Sequence, residues 1–350
     1  MSEKFASLTP YTPGEQPKNM QYVKLNTNES PFPPSQTAQT LASAAAKELQ
    51  LYPDPECRTL TQAVADTLGV DFSQVLLTNG SDEILNFAFM AYCDENTPAV
   101  FPNITYGFYS VFAELNRVPF VEVPLKPDFT VDVDTLCKTH GTVFLANPNA
   151  PTGIELAQSE ICRILESDPN RIVVVDEAYV DFGAQSAVAL LERYPNLLVT
   201  QTFSKSRSMA GARLGFGVGS ADLICDLNTI KYSTNPYNIN RMTMAAGLGT
   251  LQDAEYTAQN CRTVMETRAE TMAQLAALGF EMTESKANFI FARHPKLDGE
   301  RTYLALKEKG ILVRHFTKPE ISAYNRITVG TREQMDLLLA ALAQILEETV

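Results

Sequence analysis

The chain is 350 residues long and carries 28 Lys plus Arg against 41 Asp plus Glu, a formal net charge of −13. That balance excludes a general binder of nucleic acid or anionic membrane, either of which needs a basic face. At 45% hydrophobic and 20% charged residues, the composition is that of a globular protein able to bury a large core, as one α/β domain or two unequal ones.

In chain order, Pro31-Phe32-Pro33-Pro34 reads as an extended connector after an N-terminal arm. Short β-rich runs follow at Val75 to Thr78, Ala99 to Phe101, Pro119 to Val123, Thr142 to Leu145, Arg171 to Val175 and Leu197 to Thr200. Amphipathic segments such as Ser81 to Tyr92 and Ser159 to Glu166 lie between them. Continuous apolar strands separated by helical crossovers predict a mainly parallel sheet covered on both faces. Beyond about residue 240 the periodicity changes. Arg241 to Leu278 reads as a long helical stretch, and Thr331 to Glu348 as a closing helix. Between them Ala287 to Ala292, Ile311 to Arg314 and Arg326 to Val329 read as three short strands around a helix, together a smaller α+β domain.

The six cysteines include no CxxC pair, so neither a zinc site nor a redox dithiol is expected, nor a disulfide framework. The three histidines stand at neither HxxxH nor HExxH spacing, and no metal is expected. Met1 to Gln21 is polar without an apolar signal region, and no later stretch approaches the roughly 20 apolar residues of a membrane span. A soluble, reduced, cytoplasmic protein is the expectation.

In an open α/β sheet, ligands bind beyond the carboxyl ends of the strands, so the residues that follow each run carry the functional signal. After Val75 to Thr78 comes Asn79-Gly80-Ser81-Asp82-Glu83, a helix start whose N–H groups favour a phosphate, although a plain N-cap reads the same way. After Thr142 to Leu145 comes Asn147-Pro148-Asn149-Ala150-Pro151-Thr152-Gly153, either a plain turn or a rigid loop that holds the Asn149 amide in one direction. Asp176 ends a run with three consecutive valines; it either caps the next helix or is a buried carboxylate that needs a cation or strong donor. After Leu197 to Thr200 come Thr202, Ser204 and Lys205, then Arg213, which suit an amine held near a phosphate if Lys205 is more than a surface lysine. Gly215-Phe216-Gly217-Val218-Gly219 does not follow a strand and open a helix, so it is no dinucleotide loop, and Asp132-Val133-Asp134 is a turn before a helix rather than a metal pair.

Asn149, Asp176, Lys205 and Arg213 follow strands of one sheet in the order suited to pyridoxal 5'-phosphate: an Asp for the ring nitrogen, a Lys for a Schiff base, a helix N-terminus and an Arg for the phosphate. On these residues, and on Leu8 to Tyr11, Leu25 to Glu29, Tyr52-Pro53, Asn79 to Glu83, Asn147 to Gly153, Asp176 to Tyr179, Ala210 to Gly215 and Arg326 to Arg332, the chain resembles the fold-type-I pyridoxal-phosphate aminotransferases. Within them it is similar to the histidinol-phosphate aminotransferases, over nearly its whole length.

The resemblance implies an α/β fold whose large domain has a mainly parallel seven-stranded sheet between helices, beside a smaller α+β domain. It divides the chain into an arm at 1–31 that joins the small domain, a large cofactor domain at 32–245 and a small domain at 246–350. Lys205 would hold the cofactor and move the proton at the substrate α-carbon. Asp176 would keep the ring nitrogen protonated, and Asn149 and Tyr179 would hydrogen-bond the ring hydroxylate. Tyr106 would stack on the ring, while Gly80, Ser81, Asp82, Thr202, Ser204 and Arg213 surround the phosphate. Tyr52 would reach the phosphate of the neighbouring subunit, making a homodimer the active unit. Tyr11, Asn149, Arg314 and Arg326 would bind substrate. The implied reaction is L-histidinol phosphate plus 2-oxoglutarate to imidazole-acetol phosphate plus L-glutamate, by a ping-pong cycle through pyridoxamine phosphate. The alternatives are an aromatic amino acid aminotransferase or a threonine-phosphate decarboxylase on the same fold, and, outside enzymes, a silent cofactor-binding protein.

Overall fold

The structure, a computed structural model, describes residues 5, 6, 8, 12–17 and 20–349. A two-residue strand, β1 (Val23–Lys24), and two helices, α1 (Gln36–Ala45) and α2 (Arg58–Leu68), precede a long alternation. It runs β2 (Val75–Thr78), α3 (Ser81–Tyr92), β3 (Ala99–Pro102), α4 (Phe108–Asn116), β4 (Phe120–Val123), α5 (Val133–Lys138), β5 (Thr142–Ala146), α6 (Gln158–Ser167), β6 (Val173–Asp176), β7 (Leu197–Thr202), β8 (Gly215–Val218) and α7 (Ala221–Thr234). Helices α8 (Arg241–Gln252) and α9 (Ala254–Ala277) then lead to β9 (Glu281–Met282), β10 (Phe289–Arg293), α10 (Gly299–Glu308), β11 (Ile311–Leu312), β12 (Arg314–His315), β13 (Asn325–Thr328) and α11 (Arg332–Thr349).

The main sheet has seven strands in the order β2-β8-β7-β6-β5-β3-β4. All point the same way except β8, which is antiparallel to both of its neighbours. Every residue of β2, β3, β6, β7 and β8 is buried, as a sheet covered on both faces requires. All six apolar runs read from the sequence form strands of this sheet. The seventh, β8, lies where the sequence reads only as a glycine-rich segment. Its glycines admit a helix: a Cβ on Gly215 would stand 2.4 Å from the Ser81 backbone nitrogen, and one on Gly217 would stand 2.5 Å from Ile84 Cδ1. So α3 packs directly against β8.

Two expectations shift locally. Arg171 precedes β6 rather than opening it; its buried guanidinium donates to the carbonyls of Leu136, Thr139 and Ile164 and to Ser167 Oγ, tying α5 to α6. The helical stretch from Arg241 is two helices with Asp253 between them, and the Asp253 carboxylate accepts from the Thr37 backbone N–H at the start of α1.

A second sheet, β12-β13-β10-β9, is antiparallel throughout. Strand β1 pairs in parallel with β11, so the N-terminal segment is tied to the C-terminal third. Among the described residues no helix is long and apolar enough to cross a membrane. Because β2, β3, β5, β6 and β7 run in one direction, the loops after them open on one edge of the main sheet, the last of these being the loop that leads from β7 into the reversed strand β8.

Candidate active site

At that edge two cavities meet. The inner one, about 170 Å³, is lined by Ser81, Asp82, Tyr106, Asp176, Tyr179, Thr202, Ser204, Lys205 and Arg213. The outer one, about 430 Å³, is reached by Arg314 and Arg326 from the second sheet and by Phe316 and Lys318 just after β12. Thr27, Tyr106, Ala150, Tyr179 and Lys205 line both.

The far end of the inner cavity is built by the turn from β2 into α3. Gly80 holds φ +80°, a left-handed conformation that opens the twelve-residue helix with its first N–H groups unpaired within the helix. A Cβ on Gly80 would stand 2.5 Å from Arg213 Nη2, so the guanidinium closes over this helix end. Arg213 pairs with Asp82 Oδ2 at 3.0 Å and approaches Ser204 Oγ at 3.4 Å, and the Ser204 and Thr202 hydroxyls are 3.0 Å apart. Tyr106 donates to the other Asp82 oxygen at 2.6 Å. A helix N-terminus, an arginine and two hydroxyls form a phosphate cradle.

Asp176, at the end of β6, is 4% exposed. It accepts from the Ala178 backbone N–H at 3.2 Å and from the Tyr109 hydroxyl at 3.3 Å, and among the described residues it forms no ion pair. Burial, and secondarily the negative charge of Asp82, push its carboxyl up to about 7. A buried carboxylate in this state lacks a positive partner. Lys205 donates to the Thr27 carbonyl at 3.3 Å, with its Nζ 5.9 Å from the centre of the Tyr179 ring. Burial, with the nearby Arg326 charge second, lowers its ammonium to about 8. The Tyr179 hydroxyl accepts from Asn28 Nδ2 at 3.0 Å, and burial raises it above the ordinary phenol value, so it keeps its proton.

In the outer cavity Arg314 and Arg326 are directly opposed partners on β12 and β13. Like charges opposite each other in a sheet are unfavourable without an anion between or near them. Arg326 donates to the Asn26 carbonyl at 3.2 Å and lies over the Phe289 and Phe316 rings. Arg314 donates to the carbonyls of Pro13 and Thr12 at 3.3 and 3.2 Å.

Two sequence-level site residues are placed differently from the rest. Asn149 lines neither cavity: its Nδ2 donates to the Ile104 carbonyl and to Thr152 Oγ1, both at 3.0 Å, and its Oδ1 accepts from Thr105 at 2.8 Å. The rigid loop does hold the Asn149 amide, but toward the protein, and it is Ala150 that faces both cavities. Tyr52 is 79% exposed, stacked on Tyr237 at 4.7 Å between ring centres, and also lines neither cavity. Tyr11 lies outside the described residues. The sequence reading assigned no role to Asn28, Thr27 or Tyr109. Tyr109 lies in the first turn of α4, and it meets the site through the bond to Asp176, 67 residues on; Asn28 and Thr27 meet the site through partners 151 to 300 residues away.

Residues 20–342 match the family described as aminotransferase class I and II. Among curated relatives, a histidinol-phosphate aminotransferase from Marinomonas sp. (strain MWYL1) is 48% identical over 347 residues, 97% of this chain and 98% of the relative. One of the same name from Brachyspira hyodysenteriae is 45% identical over 349 residues, 99% of each. The fold matches the solved structure of a histidinol-phosphate aminotransferase from Sinorhizobium meliloti in complex with pyridoxal-5'-phosphate, with a TM-score of 0.85 at 24% identity, covering 93% of this chain and 91% of that one. The seven-stranded sheet, the edge on which its loops converge and the full-length match lead to one assignment: the chain belongs to the class I and II aminotransferases.

Proposed function

We propose that this aminotransferase is pyridoxal-phosphate dependent and acts on histidinol phosphate, exchanging its amino group with 2-oxoglutarate to give imidazole-acetol phosphate and L-glutamate. The observation that carries the reading is the union of two cavities, one with a phosphate cradle, a buried carboxylate lacking a cation and a half-buried lysine, the other with an opposed arginine pair. The inner residues fit the cofactor, because its phosphate and its protonated ring nitrogen would bring the two charges this cavity lacks. Gly80, Ser81, Thr202, Ser204 and Arg213 would hold the phosphate, Asp82 would orient Arg213 and Tyr106, Tyr106 would cover the ring, and Asp176 would face the ring nitrogen. When bound, the cofactor supplies an electron sink for negative charge developing at the substrate α-carbon.

The chain's own work is proton transfer and placement. With its ammonium lowered to about 8, Lys205 can hold and return the α-carbon proton near neutral pH. Asp176 would retain the proton on the ring nitrogen through charge pairing in a dry site. Tyr179 would donate to the ring oxygen; Asn149 holds the loop through Ile104, Thr152 and Thr105, so that Ala150 faces the cavities. Arg326 takes the carboxylate of glutamate or the phosphate of histidinol phosphate with Arg314 opposite it, and the resemblance adds Tyr11 as a substrate ligand, so one cleft serves both substrates in turn.

The names borne by the 45–48% identical relatives support the substrate assignment. We also place the cofactor domain at 32–245 and the small domain at 246–350, with the arm joined to the latter, in a homodimer whose Tyr52 reaches the partner's phosphate cradle. All six cysteines are free thiols, which suits the reducing cytoplasm.

Turnover with glutamate as donor and imidazole-acetol phosphate as acceptor tests the reading, with Lys205→Ala expected to abolish it together with the visible absorbance of bound cofactor. Retained absorbance in that variant would overturn the lysine assignment. A kcat/KM for phenylalanine equal to that for histidinol phosphate would favour an aromatic aminotransferase, since a phosphate subsite should discriminate by orders of magnitude. Carbon dioxide released from threonine phosphate would instead identify a decarboxylase.

A further inference from the structure

Asn28 is 1% exposed and holds φ +55°, the left-handed region that Asn enters more readily than most residues. All four of its polar groups are engaged. Its backbone N–H donates to Thr328 Oγ1 at 2.9 Å, and its carbonyl accepts from Asn288 Nδ2 at 3.0 Å. Its Oδ1 accepts from Thr328 Oγ1 at 3.1 Å, and its Nδ2 donates to the Tyr179 hydroxyl at 3.0 Å.

The first three bonds set the direction of the fourth. Thr328 Oγ1 already receives the Asn28 N–H, so its single proton goes to Asn28 Oδ1, which turns Nδ2 toward Tyr179. The Tyr179 oxygen is then an acceptor on its Asn28 side, and its own proton must point elsewhere. Tyr179 lines both cavities, while the Asn149 amide is spent on Ile104, Thr152 and Thr105.

We propose that Asn28 is a positioning residue: by filling the acceptor side of the Tyr179 hydroxyl it aims the phenol proton into the cavity, onto the cofactor ring oxygen. Because Thr328 belongs to β13, the strand that also carries Arg326, the aim of this proton is set from the sheet that holds the substrate anion. The inference rests on the pyridoxal-phosphate reading of the site. Its consequence is spectroscopic, since a proton donated to the ring oxygen stabilises the anion there and lowers the pH at which the visible absorbance of bound cofactor titrates.

The test compares pH titrations of that absorbance in wild-type, Asn28→Asp, Asn28→Gly, Tyr179→Phe and Asn28→Asp/Tyr179→Phe holoenzymes, with melting curves alongside. Asn28→Asp puts an acceptor where the donor stood and draws the phenol proton out of the cavity. Asn28→Gly suits the positive φ, keeps both backbone bonds and removes only the amide, so it decides the matter if the aspartate variant fails to fold. Asn28→Asp is expected to move the midpoint upward by about one pH unit, a tenfold change in proton affinity, toward the Tyr179→Phe value, and Asn28→Gly by less. In the Tyr179→Phe background Asn28→Asp should add nothing. A folded variant that titrates with the wild type overturns the inference, as does an aspartate shift that survives without the phenol, which would be a through-space charge effect. A wild type that takes up no pyridoxal phosphate overturns the functional reading itself, before any variant is compared.

Discussion

Asp176 shows how one buried group links stability to chemistry. Its carboxyl, ordinarily near 3.8, is raised to about 7 by burial first and by Asp82 second. The folded chain therefore binds this proton more tightly than the unfolded chain does. The stabilisation is fully present below the ordinary value and is lost as pH rises through about 7. Glu177 beside it acts in the same direction, raised to about 7 by burial although Ser186, Ala187 and Gln201 donate to it. Cofactor-free protein should consequently lose stability between about pH 4 and pH 8. Asp176→Asn should remove part of that loss, making the cofactor-free variant more stable than wild type by about 1–3 kcal/mol at pH 8 and equal to it near pH 4. Pyridoxal phosphate should reverse the order at pH 8, since only the carboxylate gains from a ring cation. Denaturant melts at the two pH values, with and without cofactor, check this; a difference independent of pH would mean that Asp176 is already compensated by the protein.

The element that sets the phosphate cradle is β8, and its requirement is steric. A Cβ on Gly215 would meet the backbone of Gly80 and Ser81 at 2.4–2.6 Å, and backbone has no side chain to swing aside. Gly215→Ala should push α3 off the sheet and splay its N-terminus from Arg213. Pyridoxal phosphate affinity should fall about tenfold or more, roughly 1.4 kcal/mol, while affinity for unphosphorylated pyridoxal changes far less. Gly211→Ala, with nothing within 4 Å of its added Cβ, is the matched control and should bind as wild type.

This strand also marks where the sequence stopped being legible. Runs such as Val173-Val174-Val175 announce a buried strand by composition, and the residues after them are read off directly as loop residues at the sheet edge. Gly215-Phe216-Gly217-Val218 lacks that signature because its glycines serve α3, which lies 131 residues earlier as measured between the paired Arg213 and Asp82. The break at Asp253 has neither Pro nor Gly to signal it, since its cause is a bond to Thr37. The segment Asn147 to Gly153 read equally as a plain turn or as a rigid loop, and which of Asn149 and Ala150 faces the cavity depends on contacts from Ile104 and Thr105. The lining positions of Asp176, Lys205 and Arg213 were legible from the order in which they follow the strands, and that of Tyr179 only through the family resemblance. The long-range bonds of Asn28 and Tyr109 were not.

At the scale of the molecule, a chain of net charge −13 concentrates Lys205, Arg213, Arg314 and Arg326 on two joined cavities. Net charge governs non-specific association, whereas the field inside a cleft is set by the groups that line it, so an acidic protein can still take small anions there. The cleft that carries these cations, with Glu29, Asp82, Glu122 and Asp176 also in its lining, is assembled from the N-terminal segment at Thr27 to β13 at Arg326. Tyr52 is the exception: within one chain it rests on Tyr237, outside both linings. If it serves the partner's cradle, the defect of Tyr52→Ala belongs to the neighbouring subunit and can be separated genetically from Lys205→Ala. Mixed dimers of these two inactive or impaired proteins contain one site with both lesions and one with neither. Unfolding and refolding the two variants together should therefore restore turnover, up to one working site in each mixed dimer, while each variant refolded alone should not gain. If Tyr52 instead acted within its own chain, every site in the mixture would carry one lesion and activity would stay at the average of the parents.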